Sequence, residues 1–451
     1  MKKLISWNKM RLNFRKDITM RHGLIIMVLL MGIPSSHLFA EEKVLPYFYP
    51  FVNPYEATVI PLPKAYKAKL PEEIPSETFE LNIFPDRKVP DVFWYQEGLK
   101  CSLASQDHKA PMLFIIAGTG AEYKSPNMID LQKVFYQAGF HVICISSPTH
   151  MNFVVNAGSG MPGNTPEDAK DLYRVMIKAD AYARDQKVDI SGYALTGYSL
   201  GGIESAFVAK LDEERKDFNF DRVLLLNPPT NVVDSITILD KYLVDNVPGG
   251  MDNFANWFHD MLKKVADNAK SIDEVKFTSE SIYKLYRYYP PNEDFLKALV
   301  GLAFRMDSGN MVFTVDVMNG GGYILPKGTV LTPTTSLTGY AMTSYHTSFV
   351  DYFNEWFFPF YQRKEPGLTK KALIDRVSLN SMESYLKNSK KIGLMHNEDD
   401  IIMAKGQVDY LAKIFAGRAK IFPTGGHCGN MAHPDAIAFM TEFLKAKEVE
   451  K

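Results

Sequence analysis

Tyr193 to Gly202, YALTGYSLGG, is the stretch that most narrows the folds open to this chain. A short apolar run leads into Gly197-Tyr198-Ser199-Leu200-Gly201, the G-x-S-x-G pattern of a strand that breaks sharply into a helix with a serine at the apex. A side chain at 197 or 201 would crowd so tight a turn, and Gly202 lets the helix approach the strand closely. Five residues of this kind also occur by chance. The weight of the reading therefore falls on whether the rest of the chain supplies a sheet around the turn and polar partners for the serine in the right order.

The flanking sequence alternates strand and helix. Pro111 to Gly118 (PMLFIIAG) and Phe140 to Ser146 (FHVICIS) read as buried strands on either side of a helix from Met128 to Ala138. Thr165 is placed as the N-cap of a helix through Arg184, with Pro166 at its first position. After Ser199 a helix runs to about Leu211, and Asp221 to Asn227 gives a further strand. The alternation resumes with Lys391 to Met395, a helix from Ile401 to Phe415, a strand at Arg418 to Phe422 and a last helix from Pro434 to about Lys445. Such order predicts an α/β protein with a mostly parallel sheet and helices on both faces. Two earlier segments, ETFELNIF from Glu77 and VFWYQEGL, read as an antiparallel edge ahead of it.

Residues 41–75 are dense in proline and aromatics and predict an extended arm on the domain surface. Residues 230–389 interrupt the alternation with amphipathic segments: Met251 to Asn268, Ser279 to Tyr289 and Asp294 to Arg305, with a capping box at Ser271 and Glu274. Residues 1–40 combine a basic region (Lys2, Lys3, Lys9, Arg11, Arg15, Lys16, Arg21), a short apolar core from Leu24 to Gly32 and a candidate cleavage region from Ser35 to Ala40. They read as an export signal for the periplasm or beyond, the alternative being an uncleaved anchor, which is the one route to membrane association in this reading.

Composition excludes little else. The 451 residues carry 51 lysines and arginines against 52 acids, with no basic run beyond the first residues and no P-loop, so no nucleic-acid partner is expected. Three cysteines, Cys101, Cys144 and Cys428, are too few for a disulfide framework, although one bridge among them stays open.

Taken together, residues 76–229 and 390–451 resemble the α/β-hydrolase superfamily of serine hydrolases, with 230–389 inserted where that family often carries a cap. The resemblance implies a nucleophile, an acid and a histidine in that chain order on the last strands of the sheet. Ser199 is then the nucleophile. A free serine hydroxyl is too weakly acidic to attack an ester at neutral pH, so it needs a base in reach and that base needs an orienting partner. Among the histidines only His427 and His433 follow the final strand. His427, in the glycine-rich loop Pro423-Thr424-Gly425-Gly426-His427-Cys428-Gly429, is the favoured base, with His433 as the alternative.

The acid should follow the strand before it. His396-Asn397-Glu398-Asp399-Asp400 points to Asp400, with Asp399 as alternative and Asp234 a distant third. The oxyanion hole would combine the N–H of Leu200 with one from Ala117-Gly118-Thr119-Gly120, which aligns to Thr119, Gly120 and Ala121 staying open. Phe349, Tyr352, Phe353, Trp356, Phe357 and Phe360 form an aromatic stripe that reads as cap core or as an acyl pocket, and Asn319-Gly320-Gly321-Gly322 as a flexible turn. The implied activity is hydrolysis of a small-molecule or lipid ester with no metal or organic cofactor. An acyltransferase or peptidase using the same residues, and a non-catalytic envelope binding protein on the same scaffold, remain as alternatives.

Overall fold

The computed structural model describes residues 47–270, 283, 286, 287 and 290–446. The segment read as an export signal, residues 1–40, therefore lies outside the described residues. Within them, one sheet is built from β1 (Ser76–Leu81), β2 (Leu99–Ala104), β3 (Ala110–Ile116), β4 (His141–Ile145), β5 (Ile190–Tyr198), β6 (Arg222–Leu226), β7 (Ile392–Asn397) and β8 (Ala419–Phe422). Its order is β1-β2-β4-β3-β5-β6-β7-β8. β2 runs antiparallel to β1 and to β4, and the remaining pairs are parallel.

The inner strands are apolar along their length because both faces are covered; β4 and β6 are buried at every residue. Alternate side chains enter two cores. Leu113, Ile115, Val142, Leu224 and Leu226 pack with the helices Pro126–Gln137 and Pro434–Lys445. Met112, Phe114, Ile116, Ile143 and Leu225 pack with Thr165–Asp185 and Leu200–Arg215 on the other side.

Several boundaries differ from the sequence reading. Residues 91–96 form a 3-10 turn rather than a strand. Val92 and Phe93 both enter the same apolar cluster, which adjacent residues of a strand, pointing to opposite faces, do not do. The N-cap of the helix Thr165–Asp185 is Asn164; Thr165 is already helical and donates its hydroxyl to the Val377 carbonyl at 3.1 Å. The helix expected from Ile401 starts at Gln407, because Gly406 at φ 83° breaks the path before it. Cys101, Cys144 and Cys428 are all free thiols, the first two buried, so the single bridge is not formed.

The arm is also more than an extended strip. Asn53 accepts from the N–H groups of Tyr55 and Glu56 and opens a helix Pro54–Val59 with proline in its first turn. Tyr47, Tyr49, Phe51, Ile60 and Leu62 are buried in the main core.

The described residues of 230–389 fold mainly as helices, among them Val232–Asn246, Phe254–Lys270, Glu293–Asn319 and Thr338–Tyr345. The segment read as Asp294 to Arg305 is thus more than twice as long as expected, while the Ser271/Glu274 capping box and most of Ser279 to Tyr289 lie outside the described residues. Arg305 pairs with Asp240 at 3.2 Å in the cap interior, and the other Asp240 oxygen accepts the Val350 N–H. The aromatic stripe is cap core: Phe349, Tyr352, Phe353, Trp356 and Phe357 are buried together, and the Tyr352 hydroxyl donates to the Pro162 carbonyl. The glycine turn is tied down, because the Asp316 carboxylate accepts the N–H groups of Tyr323, Ile324 and Leu325 just beyond it. Among the described residues no helix is long and apolar enough to cross a membrane.

Candidate active site

Ser199 sits between β5 and the helix Leu200–Arg215 at φ 55°, ψ −124°, a backbone region that a side-chain-bearing residue enters only when its surroundings force it. The forcing is visible in the flanking glycines. A Cβ on Gly197 would lie 2.2 Å from the Gly201 carbonyl oxygen, and one on Gly201 would lie 2.3 Å from that of Ile116. Gly202 is tight rather than obligatory, its Cβ position 3.1 Å from the Leu226 oxygen. The turn lifts the serine side chain beyond the carboxyl end of β5, where the loops after β7 and β8 also arrive.

His427 comes from the loop after β8. Its Nε2 lies 2.8 Å from Ser199 Oγ, and its Nδ1 lies 3.0 Å from each oxygen of Asp400, which follows β7. The Asp400 side chain is fully buried and also accepts from Asn227 Nδ2 at 3.0 Å and the Ile402 N–H at 3.1 Å. Serine, imidazole and carboxylate thus form one hydrogen-bonded line.

The rival residues have other partners. Asp399 accepts the N–H groups of Gly425 and Gly426, at 3.2 and 2.9 Å, and so shapes the loop that carries the histidine instead of touching the ring. Asp234 accepts from Gln407 Nε2 at 2.8 Å. His433 caps the last helix through the Asp435 N–H and bonds the Phe48 carbonyl through Nε2.

Four supporting residues escaped the sequence reading. Asn227 holds the acid, Asn397 donates to the Gly426 carbonyl and pairs with Asn430, and Thr58 accepts the His427 N–H. Asn227 and Asn397 did carry a signal, since each is a buried amide ending an apolar strand run. An amide there must find partners or cost stability.

The oxyanion side is built by the loop after β3. A Cβ on Gly118 would stand 3.1 Å from Ser199 Cβ, so this loop passes directly beside the serine. Gly120 donates its N–H to Thr149 Oγ1 at 2.8 Å and Ala121 donates to the Gly118 carbonyl at 3.0 Å. Leu200 is the first residue of its helix, where N–H groups have no carbonyl a turn earlier and the helix dipole favours negative charge.

Burial alone would lower the His427 pKa. The facing Asp400 carboxylate, with Cys428 beside the ring, outweighs it and holds the imidazole well above its ordinary 6.5. Burial likewise raises Asp400, but His427, His396 and Asn227 together bring its carboxyl below 3.8. Asp399 is pushed up to about 6 by burial, against the pull of the two glycine N–H groups. The pair Asp400–His427 therefore contributes stability through the histidine that is whole below about pH 6.5 and is lost as pH rises through the raised value. Through the aspartate it contributes stability that is present above about pH 3.9 and is lost as pH falls through the depressed one. A base must be neutral to accept a proton. Ester turnover, as kcat/KM, is expected to rise along an acid limb whose midpoint lies above 6.5. A pH–rate profile with its midpoint at or below 6.5 would contradict that environment for the ring.

Among the described residues no group of three or more His, Cys, Asp or Glu side chains is placed to hold a metal ion. The open cavity of about 580 Å³ lined by Lys210, Glu213 and Tyr385 contains none of the site residues.

Sheet order, the strained serine turn and the helical insertion after β6 define an α/β-hydrolase fold carrying a serine, histidine and aspartate in line. No protein-family model matches the chain, and no curated protein matches it in sequence. Among solved structures it is similar to fungal esterases from Rhizomucor miehei, at 12% identity over 84% of each chain and a TM-score of 0.40. It is also similar to a Pyrococcus furiosus esterase, at 9% identity over 89% of this chain and 98% of that one, with a TM-score of 0.39. A third similar structure is a hyperthermophilic esterase from Pyrobaculum calidifontis, at 14% identity over 83% of this chain and 84% of that one, with a TM-score of 0.38.

Proposed function

We propose that the protein is an exported serine hydrolase that cleaves carboxylic esters through an acyl-enzyme. The observation that carries the reading is the 2.8 Å approach of His427 Nε2 to Ser199 Oγ, with Asp400 3.0 Å behind the ring. In the proposed cycle His427 takes the Ser199 proton as the oxygen attacks the ester carbonyl. The N–H groups of Leu200 and Thr119 receive the oxyanion, and His427 returns the proton to the leaving alcohol. Water, deprotonated by the same imidazole, then releases the acid. Asp400 keeps Nδ1 protonated and stabilises the imidazolium, and Asp399 holds the glycines from which His427 is presented. The acyl group is proposed to be apolar, in keeping with the mostly apolar lining that ligand pockets have in general. The export segment, residues 1–40, is tested by N-terminal sequencing of the mature protein, expected to begin near Glu41.

The test of the reaction is a fluorophosphonate probe with peptide mapping, run beside a chain-length series of chromogenic esters. Labelling confined to Ser199 with turnover of at least one ester is the expected result. A folded protein that stays unlabelled would leave a binding protein on a hydrolase scaffold. Labelling with turnover only when an acceptor alcohol or amine is added, or only of amides, would select the acyltransferase or the peptidase.

A further inference from the structure

The histidine loop does not stand on its own. Gly425 and Gly426 lie at φ 151° and 54°, a conformation that glycine enters freely but also leaves freely, so something outside the loop must fix where His427 points. We propose that Thr58, on the N-terminal arm, is a positioning residue for His427 in the hydrolytic reaction; the proposal rests on the serine-hydrolase reading above.

The contact is directional. The His427 N–H donates to Thr58 Oγ1 at 2.9 Å, while the Thr58 hydroxyl donates its one proton to the Pro54 carbonyl at 2.7 Å. That leaves the oxygen lone pairs facing the histidine backbone. Sterics say the same on both sides of the histidine. A Cβ on Gly426 would lie 2.3 Å from the Pro54 oxygen, and one on Gly429 would lie 1.9 Å from that of Ala57. The loop therefore rests with bare backbone on the helix Pro54–Val59.

That helix is itself anchored toward the cap and the acid. Asn53 Nδ2 donates to Glu293 Oε2 at 3.0 Å at the start of the long cap helix. The Tyr55 hydroxyl donates to that of Tyr242 at 3.3 Å, and Tyr242 donates to the Ile401 carbonyl, next to Asp400. Arm, cap helix, acid turn and histidine loop thus share one set of hydrogen bonds. A displacement of about 1 Å in a catalytic group can cost on the order of 100-fold in rate.

Thr58→Val keeps the shape and removes the hydroxyl. It is expected to lower kcat and the rate of fluorophosphonate labelling at Ser199 by about 10- to 100-fold with KM unchanged, and to speed amide hydrogen exchange at His427. Thr58→Ser should recover both rates to within a few-fold. A role confined to stability would lower the melting temperature of Thr58→Val while its folded fraction kept wild-type kcat and labelling rate, and that result overturns the proposal. If the valine variant does not fold, Thr58→Ala carries the same comparison. A wild-type protein that is itself unlabelled would sink the hydrolase reading and this one with it, whereas equal labelling of wild type and Thr58→Val sinks this one alone.

Discussion

Ser199→Ala is expected to take ester turnover down to the solution background, a loss on the order of 10⁶-fold in kcat, and to abolish fluorophosphonate labelling. His427 Nε2 bonds Ser199 Oγ at 2.8 Å and stands 3.9 Å from the Cys428 sulfur. Alanine meets the same backbone strain at φ 55° that serine does, so the melting temperature should change little. That separation matters for interpretation, since a dead and destabilised variant would say nothing about chemistry. Turnover by purified Ser199→Ala within ten-fold of wild type would end the case for an acyl-enzyme at this residue.

Asp400→Asn is the second large effect. A carboxylate between Asn227 Nδ2, the Ile402 N–H and the ring accepts from all three, whereas an amide brings a donor where only acceptors fit. Both oxygens lie 3.0 Å from Nδ1, so an amide nitrogen in either place turns a donor toward the ring, which pushes the imidazole proton onto Nε2 and away from the job of a base, and it also meets the Ile402 N–H or Asn227 Nδ2 donor to donor. The expected cost is about 10⁴-fold in kcat, the scale seen when a triad aspartate becomes asparagine. The acid limb should also move down. With the charge gone, burial is left as the main influence on His427, and burial lowers its pKa. Asp399→Asn should instead leave the limb near its wild-type position, because Asp399 bonds Gly425 and Gly426 and not the ring. Were Asp399→Asn the variant that lost activity and shifted the limb, the assignment of the acid would have to be exchanged.

What could be read from the sequence follows the range of the physics involved. The serine turn was legible because its demands are local: Gly197 and Gly201 exclude a Cβ for reasons contained within a few residues and the neighbouring strand. His427 could be reached from its place after the last strand, since topology limits which loops meet at the end of β5. Asp399 and Asp400 could not be separated on the same grounds. They are adjacent, and only the turn decides that one faces the imidazole while the other faces the loop backbone. Residues 91–96 were misread because alternation is a local signature and the burial of Val92 with Phe93 is not. The partnership of Thr58 with His427 joins residues 369 positions apart, and nothing in the composition of either segment announces the other.

Synthesis runs from the amino end, so the helix Pro54–Val59 is made among the first parts of the described molecule and the backbone it must hold, Gly426 to Gly429, among the last. Until that stretch of chain emerges, Tyr47 lacks the rings of Phe422 and His433 that it finally packs on, and Tyr49 lacks that of His433. Assembly of the proposed centre is consequently a terminal event on the assembly line of the ribosome: a nascent chain has Ser199 in hand near its midpoint, and the imidazole that bonds it only when its tail closes over its head.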